Sequence, residues 1–265
     1  MAEPKPNANW LIDTHPTAFP GLTVFWDFAR RESDGTWPAA AGESRYVLRE
    51  RAGETRVVED AQAPFAGRAM QLEEGQWLNI PRADCPSLDV HGRDGVFTLV
   101  AWFRRGPKQN GGCEFIAGQW NETNLGRQYG LFLNIGTWRG GNQVCGHLST
   151  TGGPTPGYKY CCDGPMGLTQ IGQSAWYCVA LTYDGVSGSI FLDGLLDAHP
   201  PINPYSLHGG LHDGGPSGSD FTVGGVDRSG EIGNFFAGRI GGLAFYRRVL
   251  SPAEIWALAQ AGRTA

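Results

Sequence analysis

Charge and long apolar runs are both scarce in this 265-residue sequence. Asp, Glu, Lys and Arg make up 18% of it, and the balance is −5 at pH 7. A mildly acidic chain has no general attraction to nucleic acid. The longest mainly apolar run, FTLVAWF at 97–103, is far shorter than the roughly 20 residues of a spanning helix, so no membrane insertion is expected. The opening MAEPKPNANW carries no apolar signal-peptide core. No two glycines stand two residues apart and no Gly-Lys pair occurs, which removes the dinucleotide- and nucleotide-phosphate-binding loops. HExxH, GxSxG and CxxC are absent too, and with them the zinc-peptidase, nucleophile-elbow and redox-pair readings.

Turn chemistry is what the sequence has in excess. Forty glycines and seventeen prolines exceed a fifth of the chain, and the glycines show no three-residue period, which excludes collagen. Nine Trp, eight Tyr and thirteen Phe exclude a solvated disordered chain. Short runs rich in β-branched and aromatic residues, bounded by glycine-bearing turns, predict strands. They lie at 22–28, 68–72, 76–80, 96–103, 114–119, 127–135, 176–183, 189–192, 221–223 and 239–246. Asp184-Gly185 and Asp193-Gly194 end two neighbouring runs with the dipeptide that favours tight hairpins. One helix is expected at the C-terminus, with Ser251 as cap, Pro252 in the first position and Glu254 completing a capping box. The glycine-rich stretch 207–219 reads as a long surface loop rather than a linker. A single all-β domain over 1–265 follows, with its core at roughly 20–260 and an N-terminal extension at 1–19.

Six cysteines stand at Cys85, Cys113, Cys145, Cys161, Cys162 and Cys178. The even count permits disulfides, and Cys145 with Cys161 or Cys162 is the favoured pairing. Cys178 sits inside a strand-like run and reads as a buried apolar residue. Cys145, His147 and Cys161 offer zinc-type ligands, at a spacing that matches no standard zinc pattern. His208 and the His212-Asp213 pair offer imidazoles in a glycine-rich loop, where solvent exposure is the simpler reading.

The strings FTLVAWFRR at 97–105, WYCVALTYDG at 176–185, SIFLDG at 189–194, FTVGG at 221–225 and GRIGGLAFYRRVLSPAEIWAL at 238–258 resemble the laminin-G-like, concanavalin-A-like lectin/glucanase superfamily. The resemblance implies two antiparallel sheets in a jelly-roll sandwich with a short C-terminal helix. It also implies a superfamily that includes lectins, adhesion modules, glycoside hydrolases and polysaccharide lyases, often with a structural calcium. Loop carboxylates for such an ion stand at Asp13, Asp27, Asp184, Asp213, Asp220 and Asp227, without a linear calcium pattern. No cofactor is otherwise required. The Glu-x-Asp-x-x-Glu strand motif of the glucanases is not reproduced: Glu32-Ser33-Asp34 is the one Glu-x-Asp, and Trp37 stands where the last Glu belongs.

Between Trp102 and Tyr160 six basic residues (Arg104, Arg105, Lys108, Arg127, Arg139 and Lys159) face two acidic ones, Glu114 and Glu122. This central segment is therefore a candidate patch for an anionic polymer. It also holds Trp120, Tyr129, Trp138, Tyr158 and Tyr160 as flat faces for sugar rings, and Asn121, Arg127, Gln128, Asn134, Arg139 and Lys159 as polar partners. Alternation along 127–134 places Tyr129, Leu131 and Leu133 in the core and Gln128, Phe132 and Asn134 on the opposite face. In 144–149 it places Val144 and Leu148 inside and His147 outside. The expected partner is a polysaccharide or oligosaccharide, in an extracellular or periplasmic setting. Three chemistries remain open. Binding without turnover is the first. The second is a lyase, with Gln128 beside Arg127 or Arg139 neutralising a uronate carboxylate, His147 as base, and Tyr158 or Tyr160 as acid. The third is a hydrolase using Glu114, Glu122 or Asp163. A protein-adhesion role would instead require an exposed apolar patch.

Overall fold

A computed structural model describes residues 13–108, 111–136, 141–228 and 230–262. Two antiparallel sheets dominate it, with ten and seven strands among the described residues. The larger runs in the order Leu195–Leu196, Ser187–Leu192, Trp176–Tyr183, Phe97–Arg105, Gly238–Tyr246, Leu22–Trp26, Ala41–Gly42, with three short strands attached beside this path. The smaller runs Val144–Leu148, Tyr129–Leu133, Glu114–Gln119, Phe221–Val223, Trp77–Ile80, Leu48–Ala52, Thr36–Trp37. Central neighbours such as Phe97–Arg105 with Gly238–Tyr246 and Glu114–Gln119 with Phe221–Val223 are far apart in sequence, so the fold depends on long-range pairing.

The two inner faces share one core. Phe97, Leu99, Ala101 and Phe103 meet Leu131, Leu133, Ile116 and Phe221 from the opposite sheet. The alternate residues Val100 and Trp102 point to the outer face of the larger sheet. There they pack with Ile255 and Leu258 of the only α-helix among the described residues, Pro252–Ala259. Trp102 Nε1 donates to the Leu258 carbonyl at 3.2 Å. The helix begins as its sequence demands: the Ser251 hydroxyl accepts from the Glu254 amide, and the Glu254 carboxylate accepts from the Ser251 amide. It is far too short to cross a membrane, and no helix of the described residues is long and apolar enough to do so.

At one end of the sandwich the inner face turns ionic. Continuing the inward series of its strand, Arg105 reaches across the core to Glu114, with Nε at 2.9 Å and Nη2 at 2.5 Å from one carboxylate oxygen. Both side chains are buried, and Asn142 Oδ1 takes a third guanidinium hydrogen at 2.8 Å.

The expected strands are all present, some trimmed or extended by two residues at an end. The Asp193-Gly194 turn has φ of +51° and +90°, the double positive-φ geometry of a two-residue hairpin, and it joins the paired Leu192 and Leu195. Short strands such as Leu48–Ala52 and Arg56–Glu59 were not foreseen, because their charged sequences LRERA and RVVE hide the alternation. The stretch 207–219 is a loop without β-strand or α-helix, as expected, but it is anchored. Leu207 and Leu211 are buried in the main core, the His212 amide donates to the Ser149 carbonyl at 2.7 Å, and the segment packs on the sandwich.

Candidate functional site

The outer face of the smaller sheet carries a second cluster of buried side chains at its Val144–Leu148 end. In register, Gly130 lies opposite His147 and Gly118, and Phe132 lies opposite Cys145 and Phe115. A side chain at position 130 would put its Cβ 2.7 Å from Cε2 of Phe132. Glycine here lets the aromatic rings lie down over the strand. Phe115 and Phe132 meet edge to face at 4.9 Å, and Trp120 stands edge-on to Phe132 at 5.6 Å. The His147 ring lies 5.4 Å from Trp120 and 5.0 Å from Phe132.

The Trp120, Phe132 and His147 rings line a cavity of about 370 Å³ where it meets the sheet. Its walls come from separate segments: Cys113, Ile135 and Gly136 at one end of the strands, Glu122 beyond the other end, Tyr160 and Cys161 along the sheet edge, and Arg228 and Asn234 on the far side. The segment at the edge is held by backbone bonds, Gly146 N to the Pro165 carbonyl at 2.8 Å and Leu148 N to the Asp163 carbonyl at 3.1 Å. It thereby covers the open edge of the Val144–Leu148 strand.

Burial sets the chemistry of His147. Loss of solvent pulls its pKa from 6.5 down to about 4, so the ring is neutral at pH 7. Nδ1 lies 3.2 Å from the Asp163 carbonyl oxygen, which can only accept, so this nitrogen carries the hydrogen. Nε2 is then a bare acceptor on a ring that lines the cavity. The second acceptor is Glu122, whose carboxylate lies 3.4 Å from Trp120 Nε1 and 3.7 Å from Arg127 Nη2.

The structure brings three expected site residues to this cavity, Trp120, His147 and Tyr160, and places the others elsewhere. Trp120 is buried and forms a wall of the cavity, not an open platform. Gln128 is wholly buried, donating to Asp89 Oδ1 at 2.9 Å and the Val90 carbonyl at 3.3 Å, while its oxygen accepts from Arg82 Nη1 at 2.5 Å. Its hydrogen-bonding capacity is thus engaged, and it cannot neutralise a uronate. Arg127 is buried and donates to the Gly152 carbonyl at 3.3 Å. Tyr129 is core, its hydroxyl on the Leu88 carbonyl at 2.8 Å. Asn121 organises a turn by accepting from the Asn124 amide at 2.8 Å. Asn134 has φ of +56° and donates to the Gly112 carbonyl at 2.8 Å, ending its strand rather than facing a ligand. Tyr158 is exposed outside the cavity. Lys159 is also exposed, with its ammonium 5.1 Å from the Tyr160 ring centre, so the two do not point apart as an extended run would require. Trp138 and Arg139 lie outside the described residues.

The basic central segment is not a coherent surface. Arg104 pairs with Asp60 at 3.2 Å, Arg105 is buried on Glu114, Arg127 is buried, and Lys108 donates to the Cys113 carbonyl at 2.9 Å. Counting charges along a strand cannot see partners that arrive from other strands. The hydrolase trio does not assemble either. Glu114 faces the interior with Arg105, and Asp163 accepts from Thr155 Oγ1 at 2.7 Å and Tyr205 Oη at 2.8 Å. Glu122 alone of the three lines the cavity.

Cys145, Cys161 and Cys162 are free thiols, against the expected disulfide. Burial pushes the Cys161 thiol up to about 12 and the Cys145 thiol higher still, so both stay protonated. Cys145, His147 and Cys161 do not converge as a metal-ligand group. Among the described residues the one such group is Asp89, His91 and Asp213, and there Arg82 Nη2 already sits 2.6 Å from Asp89 Oδ2. The loop carboxylates considered for calcium accept hydrogen bonds from the protein. Asp27 and Asp184 accept from amides of their own turns, and Asp220 accepts from Asn79 Nδ2 at 2.7 Å and the Arg82 amide at 2.9 Å.

Sequence reasoning had no route to Arg228 and Asn234, which reach the cavity from about a hundred residues further on. Phe132 was legible as outward-facing, but the closing of other segments around it was not.

A search of curated proteins finds no match to the sequence. Among solved structures, domain 4 of AbnA, a GH43 extracellular arabinanase from Geobacillus stearothermophilus in complex with arabinotriose, matches 90% of this chain and 98% of its own at 14% identity and a TM-score of 0.55. A mutant Trypanosoma rangeli sialidase displaying trans-sialidase activity matches 93% of this chain at 19% identity and a TM-score of 0.58, and the match spans 34% of the sialidase. The binding domain of Paraclostridial Mosquitocidal Protein 1 matches 91% of this chain at 14% identity and a TM-score of 0.57, over 52% of its own length. This chain thus spans about a third of the sialidase and about half of the toxin chain, and at such identities the likeness is one of fold. Residues 75–256 match the Laminin G 3 family, described as the Concanavalin A-like lectin/glucanases superfamily, and with both sheets and the terminal helix in place the chain belongs to that superfamily.

Proposed function

We propose that the cavity between Trp120, Phe132 and His147 binds a carbohydrate without turning it over. The observation that carries this reading is the makeup of the site, in which apolar ring surface is combined with two fixed acceptors, Glu122 and His147 Nε2. Sugar sites pair ring contact with hydrogen bonds to hydroxyls in this way. Catalysis has less support. Hydrolysis by a carboxylate pair needs two carboxyls within roughly 5–10 Å, and Glu122 is the single carboxylate among the described residues that line the cavity. Elimination needs a set of neutralising donors, and with Gln128 and Arg127 engaged in the protein Arg228 is the single guanidinium among the described lining residues. Glu122 and Arg228 both line the cavity, so its walls offer a partner to a hydroxyl and to a carboxylate alike. The oligosaccharide held by the arabinanase domain adds arabinan to the polymers worth testing, and an extracellular or periplasmic setting accords with a polysaccharide ligand.

The test is affinity electrophoresis and titration calorimetry on arabinan, xylan, β-glucan, polygalacturonate and alginate. Ultraviolet absorbance and reducing ends are followed in parallel. Retention on at least one of these polymers with no new ends is expected. Glu122→Gln should weaken it roughly tenfold or more, as expected for a charge-assisted hydrogen bond worth about 1.5–3 kcal/mol. New reducing ends on any polymer, or no retention on all five, would overturn the reading.

A further inference from the structure

Resting on that reading, we infer that the cavity takes the end of a glycan chain rather than a stretch from its middle. A polymer lying across a site needs a trough open at two opposite ends. Here the inner end is sealed by the sheet, and each of the four sides has its own wall. Along the strand direction, Cys113 and Ile135 stand at one end and Glu122 at the other. Across the strands, Tyr160 and Cys161 close the sheet edge. On the opposite side is the hairpin Val226–Arg228 with Glu231–Gly233, which supplies Arg228. That hairpin is tied to the Glu122 wall, because the Glu122 amide donates to the Asp227 carbonyl at 2.9 Å. Two of the four walls are therefore joined, and the lining residues approach the sheet from all four sides.

Size and chemistry agree with this shape. A volume of about 370 Å³ lies at the small end of the roughly 300–1,000 Å³ range of ligand pockets, room for one or two sugar units. A terminal unit carries a free hydroxyl where an internal unit carries the next glycosidic bond. Hydroxyls donate, and Glu122 and His147 Nε2, both on residues of the lining, accept. A mid-chain unit has one hydroxyl fewer to offer them.

Chain ends and chain mass can be varied independently. Each polymer retained in the binding test is partially hydrolysed to a series of average lengths, and the saturating amount of bound protein is measured per gram of polymer. End recognition predicts that tenfold shorter chains bind about tenfold more protein per gram. It also predicts that fragments of one or two units displace the polymer as well as fragments of six. Capacity that stays constant per gram, or affinity that keeps rising beyond about four units, would overturn end recognition while leaving carbohydrate binding intact. Absence of retention on every polymer would overturn both.

Discussion

His147 gives the sharpest test of the site, because its buried ring links cavity geometry to pH. In the unfolded chain the imidazole titrates at its ordinary 6.5, whereas in the folded protein burial holds the value to about 4. Between those values the unfolded state binds the proton and the folded state does not, so stability must rise with pH across the window. The contribution is complete above pH 6.5 and is lost as pH falls toward 4. At about 1.4 kcal/mol per pH unit, about 2 kcal/mol is gone by pH 5 and about 3 kcal/mol by pH 4. Urea unfolding of the parent and of His147→Gln at pH 7, 5 and 4 isolates this term, since other groups titrate alike in both. The parent should lose about 2–3 kcal/mol more than the variant on acidification. NMR titration of the imidazole in the folded parent gives an independent reading, with a midpoint near 4 expected. Equal acid sensitivity of parent and variant, or an imidazole midpoint in its ordinary range, would refute the buried neutral ring and the bare Nε2 acceptor.

Two further substitutions probe the frame around the cavity. Arg105→Met should destabilise the fold by about 3–5 kcal/mol, because it leaves the fully buried Glu114 carboxylate without its partner, and the double change with Glu114→Leu should recover most of that loss; a loss under 1 kcal/mol in the single variant would contradict the buried pair. Gly164→Ala would place a Cβ 1.8 Å from the Gly146 carbonyl at a φ of +137°. Amide exchange at Gly146 and Leu148, whose bonds run to the Pro165 and Asp163 carbonyls, should accelerate, while Gly111→Ala, with open space around it and no positive φ, should leave those two amides protected.

What the sequence disclosed was local. Ser251, Pro252 and Glu254 specify a helix start from four consecutive residues, and Asp193-Gly194 specifies a turn from two, so both could be read before any fold was known. Alternation also located His147 and Phe132 on the outer face, because period-two patterning survives in a strand whatever packs on it. It could not say whether that face meets solvent. Gln128 shared the correct face and yet is sealed by Arg82 and Asp89, about forty residues earlier in the chain. Leu207 and Leu211 were hidden for the opposite reason: two core leucines among glycines carry no periodic signal.

The same limit explains why the site itself was only partly visible. A cavity on the outer face of a sheet is made by whatever closes around it, and here the closing segments come from around positions 113, 122, 135, 160 and 228–234. Each has a structural task of its own. The segment after Tyr160 covers an edge strand that would otherwise expose unpaired backbone, and the hairpin after Val223 extends from a central strand of the sheet. The cavity on this face is therefore a by-product of how the sheet is finished. Two sequences with the same core strands can differ completely in ligand if their edge segments differ, which is why membership of the superfamily fixes the scaffold while the surrounding walls, residue by residue, have to fix what enters between them.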